Sequence, residues 1–303
     1  MVPLLARAVR EVFRRERFPE RVLWWFAAEG MCEWYALLAA ELGPYLDPER
    51  GPAQALLSEI SAPLFARRHA LLEARFDSVP VPGDGGTGLL MGALYRSASN
   101  ADARWIFAAC GGAPRAFAEH AVAERWLASM TPRDRWEEVT CHLGELLIAL
   151  TERLPERVPR ARGVLGDLCF AAGVRFGRKM KKAFALPGTP EDALELLRMS
   201  EYVFRVNPDH WGGHDGQART GWLEGTACPW YDAPGWNGAH CGIFGQFQSG
   251  IASVCGLRYH LTTTIPRHGG HTCRIDLRQA PDVPAVALRR RAASAASSIE
   301  GPR

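Results

Sequence analysis

An α+β fold is predicted by a change of period partway along the chain. Up to about Met199 apolar residues recur at helical spacing. Beyond Tyr202 short alternating segments and turn residues take over, and residues 257–277 read as two alternating strands around a glycine turn. We therefore expect a largely helical N-terminal half followed by a C-terminal α+β domain with a small antiparallel sheet and a terminal β-hairpin.

The expected organisation follows from that change. Residues 1–77 form a first helical region, 78–98 a Pro/Gly-rich linker and 99–160 a second helical region. Residues 161–283 form the α+β domain that catalyses or binds a ligand, and 284–303 an Arg/Ala/Ser-rich disordered tail. In the first region Leu4, Leu5, Val9 and Phe13 fall at helical spacing. So do Val22, Trp25, Phe26 and Met31, and then Leu56, Leu57, Ile60, Leu64 and Phe65. Gly83, Gly85 and Gly88 match the spacing of a dinucleotide fingerprint. The preceding Val79-Pro80-Val81-Pro82 lacks the backbone donors of an interior strand, so the segment reads as a linker.

Helical spacing resumes with Trp105, Ile106, Phe117, Ala121, Trp126 and Leu127, and two longer helices are expected over 142–154 and 165–184. Another opens at Thr189-Pro190-Glu191-Asp192, where Thr189 suits the cap, Pro190 the first position and the carboxylates the positive helix end. Cys32, Cys110, Cys141 and Cys169 lie within these apolar helices and read as packed core thiols. Residues 219–228 alternate as a strand with Trp222, Glu224, Thr226 and Cys228 on one face. Over 242–254, Ile243, Phe244, Phe247, Ile251 and Val254 share a helical face, with Gly256 ending the helix. Leu257, Tyr259, Leu261, Thr263 and Ile265 alternate next. Gly269-Gly270 turns the chain, and Cys273, Ile275 and Leu277 return as the inward face of the hairpin.

The totals exclude several classes. With 303 residues, 47% of them hydrophobic, the chain has ample material for a core. Its 36 basic and 33 acidic residues are interspersed, giving a net charge of only +3, so no nucleic-acid partner is expected. The basic run over 175–182 reads as a solvated helix face. The apolar run over 22–28 is far too short for a membrane span, and Arg7, Arg10, Arg14 and Arg15 interrupt any secretory core, so a cytoplasmic protein with reduced thiols and no membrane partner is expected. The expected partner is a small-molecule substrate, and self-association, where it occurs, is expected to give a homodimer.

Six of the nine histidines (His210, His214, His240, His260, His268, His271) fall in one stretch with four of the eight cysteines (Cys228, Cys241, Cys255, Cys273). Cys241 directly precedes the expected helix, where backbone N–H groups and the helix dipole favour a thiolate, the form that attacks carbon. His240 or His271 is the candidate general base. Cys228 and Cys273 complete the candidate catalytic set, while Cys255 reads as structural. Glu224 and Trp230 are expected to line the pocket, and Arg258 or Arg274 to hold a substrate carboxylate through paired N–H donors. A zinc set of Cys228, Cys241 and Cys273 with one histidine is chemically sensible. The irregular spacing without a C-x-x-C pair makes no cofactor the expectation. His210 and His214, among Pro208, Gly212 and Gly213, are placed in a loop. No G-x-S-x-G, H-E-x-x-H or G-K-[ST] motif is present.

Thr226-Ala227-Cys228-Pro229, Cys241 at a helix start, the strand Thr262-Thr263-Thr264-Ile265, Gly269-Gly270 and Cys273-Arg274-Ile275 resemble the L-2-amino-thiazoline-4-carboxylic acid hydrolase family. The same region resembles the small-molecule-binding domain named after 4-vinyl reductase. The resemblance covers roughly residues 160–280. It implies an α+β ligand-binding domain and a thiol-dependent hydrolase that opens a C–N bond of a small cyclic amino-acid-like substrate. The sensor or carrier function of the second family is the alternative it implies. The chain departs from the hydrolase pattern at Phe244, where an acidic residue is usual. It departs from the zinc-binding sensors at Thr262 and Ile265, where they carry Glu and Cys.

Overall fold

The computed structural model describes residues 19–46, 52–75, 89–95, 104–110, 117–204, 210–226, 228–265 and 271–280. In the helical part, α1 (Glu20–Glu41), α2 (Ala53–Arg75), α3 (Leu89–Leu94), α4 (Arg104–Ala109), α5 (Phe117–Ser129) and α6 (Pro132–Arg153) follow one another. Then come α7 (Ala161–Ala183), α8 (Pro190–Phe204), β1 (His210–Asp215), β2 (Thr220–Gly225), α9 (Gly238–Ser253), β3 (Leu257–Thr263) and β4 (Cys273–Gln279). This is the expected α+β class with a helical N-terminal half. α3 falls within the stretch expected as linker. The expected helix around Leu4 to Phe13, the glycine loop over 83–88, His268, the Gly269-Gly270 turn and the tail lie outside the described residues.

Side-chain chemistry sets several helix starts. The Thr131 hydroxyl accepts the Asp134 backbone N–H at 3.1 Å while the Asp134 carboxylate accepts the Thr131 N–H at 3.0 Å, so α6 begins earlier than its apolar spacing predicts. Thr189 and Asp192 make the same reciprocal pair ahead of α8, at 3.2 and 2.9 Å, with Pro190 in the first position as expected. In α1 the expected stripe is rotated: Trp25 is exposed, while Leu23, Ala27, Met31 and Trp34 are buried. Leu56, Leu57, Ile60, Leu64 and Phe65 are all buried as α2 predicts. Cys32 and Cys169 are buried, and Cys110 and Cys141 half-buried.

One apolar core joins the helical half to the α+β part. Trp34 of α1 lies 6.1 Å from the Phe247 ring of α9, and a Cβ on Gly30 would come within 2.7 Å of Phe204 on α8. Within the helical half, the buried His142 sits between two phenols: the Tyr95 hydroxyl is 2.5 Å from Nδ1 and the Tyr35 hydroxyl 3.3 Å from Nε2. Tyr35 also bonds Ser61 at 3.0 Å. Arg68 forks onto Glu138 and reaches Glu145 at 3.2 Å, pinning α2 to α6.

The closest packing is between α7 and α9. A Cβ on Gly173 would overlap the Phe247 carbonyl oxygen, and one on Gly250 would overlap the Phe170 carbonyl oxygen. A Cβ on Gly177 would stand 3.2 Å from the Ile251 Cα. Three glycines thus let two backbones touch, and this fixes the height and rotation of α9.

The sheet has strand order β1-β2-β4-β3 with every neighbour antiparallel. β3 and β4 form the expected hairpin, pairing Tyr259 with Leu277 and Leu261 with Ile275. β1 is a strand where a loop was expected, so His210 and His214 sit on a sheet edge. Gly212 suits it because a Cβ there would stand 2.5 Å from the Trp222 carbonyl oxygen, too close for a side chain. α8 and α9 cover one face of the sheet, which carries Leu223, Leu257, Ile275 and Leu277.

Candidate functional site

Three cysteines converge where α9 starts beneath the β2–β4 end of the sheet. Cys241 is in the first turn of α9. Its start is set by Asn237, whose side chain accepts the Ala239 N–H at 2.9 Å. Cys273 opens β4 opposite Gly225, on the inward face shared with Ile275. Cys228 follows the end of β2 in a turn whose carbonyl accepts the Tyr231 N–H at 3.3 Å. The three thiols are near enough for the charge on Cys241 or Cys273 to bear on Cys228, and for that on Cys241 to bear on Cys273.

Burial governs their protonation. It pushes Cys228 up to about 12, against the backbone N–H of Trp230 and with neighbouring thiols adding to the rise. Burial pushes Cys273 up to about 11, against the Ile265 N–H, which stands 3.4 Å from the sulfur. Cys241 is also raised by burial, although the Trp236 indole N–H and its own backbone N–H act to lower it. The expected thiolate stabilisation at the helix start is therefore present but outweighed by desolvation, and all three groups rest as thiols at neutral pH.

Next to them lies a polar chain that sequence reasoning missed. The Tyr259 hydroxyl donates to Gln248 Oε1 at 2.6 Å, and Gln248 Nε2 donates to Glu201 Oε1 at 2.8 Å. Glu201 and Gln248 are both buried. The charge of Glu201 reaches Cys273 and Tyr259, and burial, with Glu201 and the thiols, holds the phenol well above its ordinary range. The Tyr259 ring passes one turn beyond Cys241, where a Cβ on Gly245 would stand 3.5 Å from its hydroxyl. The readable signal was Gln248, a polar residue among Phe244, Phe247 and Ile251 on an apolar helix face.

Other expected site residues are placed elsewhere. His240 is no base for Cys241: its Nδ1 accepts the Asn237 N–H at 3.1 Å, its Nε2 faces the Thr151 hydroxyl at 2.7 Å, and its ring stacks on Trp236. No lone pair remains to take a proton, and burial lowers its affinity for one. Glu224 does not share a face with Cys228, because β2 ends at Gly225 and the alternation stops there. It points to the outer face, where it accepts Thr272 at 2.7 Å and Arg274 at 3.3 Å. Arg274 is thereby committed to Glu224 and Asp276 and lies 4.9 Å over the Trp222 ring, so it is not free to hold a carboxylate. Arg258 is exposed on that outer face, opposite Arg278. Trp230 is buried 2.8 Å from the Thr140 carbonyl, with its ring against Trp236 and Phe244, and packs the core behind the thiols. His271 is exposed two residues before Cys273.

Among the described residues no group of three or more His, Cys, Asp or Glu side chains is arranged to hold a metal ion. Thr262 and Ile265, at the places where zinc-binding sensors carry ligands, do not fit one: the Thr262 hydroxyl donates to the Arg274 carbonyl at 3.0 Å. Among the described residues no helix is long and apolar enough to cross a membrane. No family model matches the sequence, and no curated protein or solved structure matches it either.

Proposed function

We propose that this protein is a thiol-dependent hydrolase opening a C–N bond of a small cyclic amino-acid-like substrate of the thiazoline type, with Cys241 as nucleophile. The observation that carries the reading is the convergence of Cys228, Cys241 and Cys273 from three separate elements beside a buried carboxylate. Cys241 has the most favourable setting of the three, in the first turn of a helix whose unpaired N–H groups favour a thiolate. Its sulfur adds to the ring carbon of the C–N unit and the thiol proton leaves as the bond forms. The ring C–N bond then breaks with its electron pair and a proton going to nitrogen. The adduct is a thioimidate, since the ring carbon of a thiazoline carries no oxygen. Water adds to it and the Cys241 thiol leaves, giving a carbonyl at that carbon, so one water is consumed per ring opened. With His240 engaged, Glu201 is the proton acceptor, held by Gln248, which the Tyr259 hydroxyl orients in turn. Cys228 and Cys273 line the reacting centre, and no metal is assigned to it.

The test is incubation with a panel of five-membered cyclic amidines and thiazoline carboxylates, following ring-opened product by mass spectrometry. Product formation that is lost in Cys241→Ala and reduced in Glu201→Gln supports the proposal. Saturable binding with no product over hours overturns it in favour of a sensor or carrier, a reading that draws on the thiols being held protonated and on the aromatic wall of Trp230, Trp236 and Phe244.

A further inference from the structure

We infer that the groove between α7 and the C-terminal end of α9 is a second binding site, which takes a small amphipathic anion with one carboxylate head and a linear apolar tail. The groove has a volume of about 1120 Å³ and an apolar floor that includes Phe170, Val174, Leu186 and Val254. At about 1.5 Å per residue, the stretch of α7 from Phe170 to Lys182 spans about 18 Å, the length of an extended tail rather than of a compact ring. Four cations rim it: Arg175, Arg178, Lys181 and Lys182.

Their engagement decides the charge of the occupant. Arg175 is bound to Glu41 at 3.3 Å, and Lys181 donates to the Val254 carbonyl at 3.3 Å. Arg178 and Lys182 have no carboxylate within ion-pair distance among the described residues. They stand one turn apart on the same face of α7, so their two charges meet one anionic head. An acidic peptide needs more free cations than these two. The floor continues from the Gly177–Ile251 backbone contact that seats α9, away from the α9 start that carries Cys241, so this site and the thiol site are independent.

Calorimetric titration of the full chain with decanoate tests the inference, with acetate and hexaglutamate as comparisons. Saturable 1:1 decanoate binding without acetate binding is expected. Arg178→Glu and Lys182→Glu together, or Val174→Asp alone, weaken it by about tenfold or more, while Cys241→Ala leaves it unchanged. Circular dichroism confirms that the exposed charge reversals fold. Decanoate binding insensitive to both the charge reversal and Val174→Asp overturns the proposal. So does the absence of decanoate binding, and so does binding of hexaglutamate alone, which assigns the groove to an acidic peptide instead.

Discussion

The Cα of Gly173 rests against the Phe247 carbonyl, so closely that no side chain fits between α7 and α9 at that point. Overpacking a rigid interior forces backbone to move. We expect Gly173→Ala and Gly250→Ala each to lose about 1–3 kcal/mol or more of stability. Gly163→Ala on the same α7 meets nothing within 4 Å and is expected to gain about 0.5–1 kcal/mol. Urea unfolding of the three variants checks this, and equal losses at all three positions would show that the contact does not matter.

Acid stability is expected to depend on His142. Burial, aided by Arg68 and Arg67, lowers its affinity for protons to about 3. The unfolded chain therefore binds a proton below about pH 6.5 that the folded chain refuses, so stability falls as pH drops from about 6.5 toward 3. The full window is worth up to about 5 kcal/mol. His240, also lowered by burial, acts in the same direction. His142→Leu should cost stability at pH 7, since it removes the His142 partner of the Tyr95 hydroxyl and leaves Tyr35 with Ser61 alone, but should flatten the slope between pH 6 and 4. An unchanged slope in urea titrations across that range would contradict the assignment.

Thiol reactivity should rise steeply with pH. Because burial raises Cys241 and pushes Cys228 and Cys273 to about 12 and 11, iodoacetamide should label all three slowly at pH 7 and faster above pH 9, Cys241 first. Peptide mapping of timed reactions measures the order. A fast-labelling cysteine at neutral pH in this cluster would mean that the thiolate is better stabilised than burial allows.

Removing the outer-face charges should leave the thiol site alone. Glu224 and Arg274 are part-exposed partners on the far side of the sheet, so Glu224→Gln is expected to change stability by about 1 kcal/mol or less and to leave labelling of Cys241 unaltered. A large change in labelling would place Glu224 in contact with the thiols through the sheet.

The His240 ring should prove structural. His240→Ala removes half of the cap on α9 and the Thr151 contact, at a cost of about 1–2 kcal/mol. Turnover measured well below the unfolding temperature should persist in this variant and fall in Glu201→Gln. The reverse result would restore the histidine as base.

The parts of the fold legible in the sequence were those with a period. The hairpin of Leu257 to Leu277, the buried stripe of α2 and the cap at Thr189 follow from alternation, helical spacing and one hydroxyl. Strand β1 was hidden because Gly212 and Gly213 carry no side chain to alternate, and their lack of one is what admits Leu223 and Trp222. The face of Glu224 was misassigned because alternation was continued to Cys228 across a strand end that no residue type announces. The three cysteines were found by clustering. Their polar neighbours Glu201 and Gln248 were not, since pairing across α8 and α9 depends on a tertiary contact that neither helix encodes alone.

The strand order β1-β2-β4-β3 has a consequence for synthesis. β2 is complete long before its central partner, because α9 and β3 are made before β4 emerges. A chain still on the ribosome can fold its helices and seat α9 against α7, which is already made, while the edge of β2 stays unpaired. During that interval Cys228 and Cys241 are without Cys273 and without the strand that places it, so the nascent protein carries open thiols and an open strand edge together. Oxidants, chaperones and neighbouring nascent chains would meet this state, and the arrival of the last strand ends it.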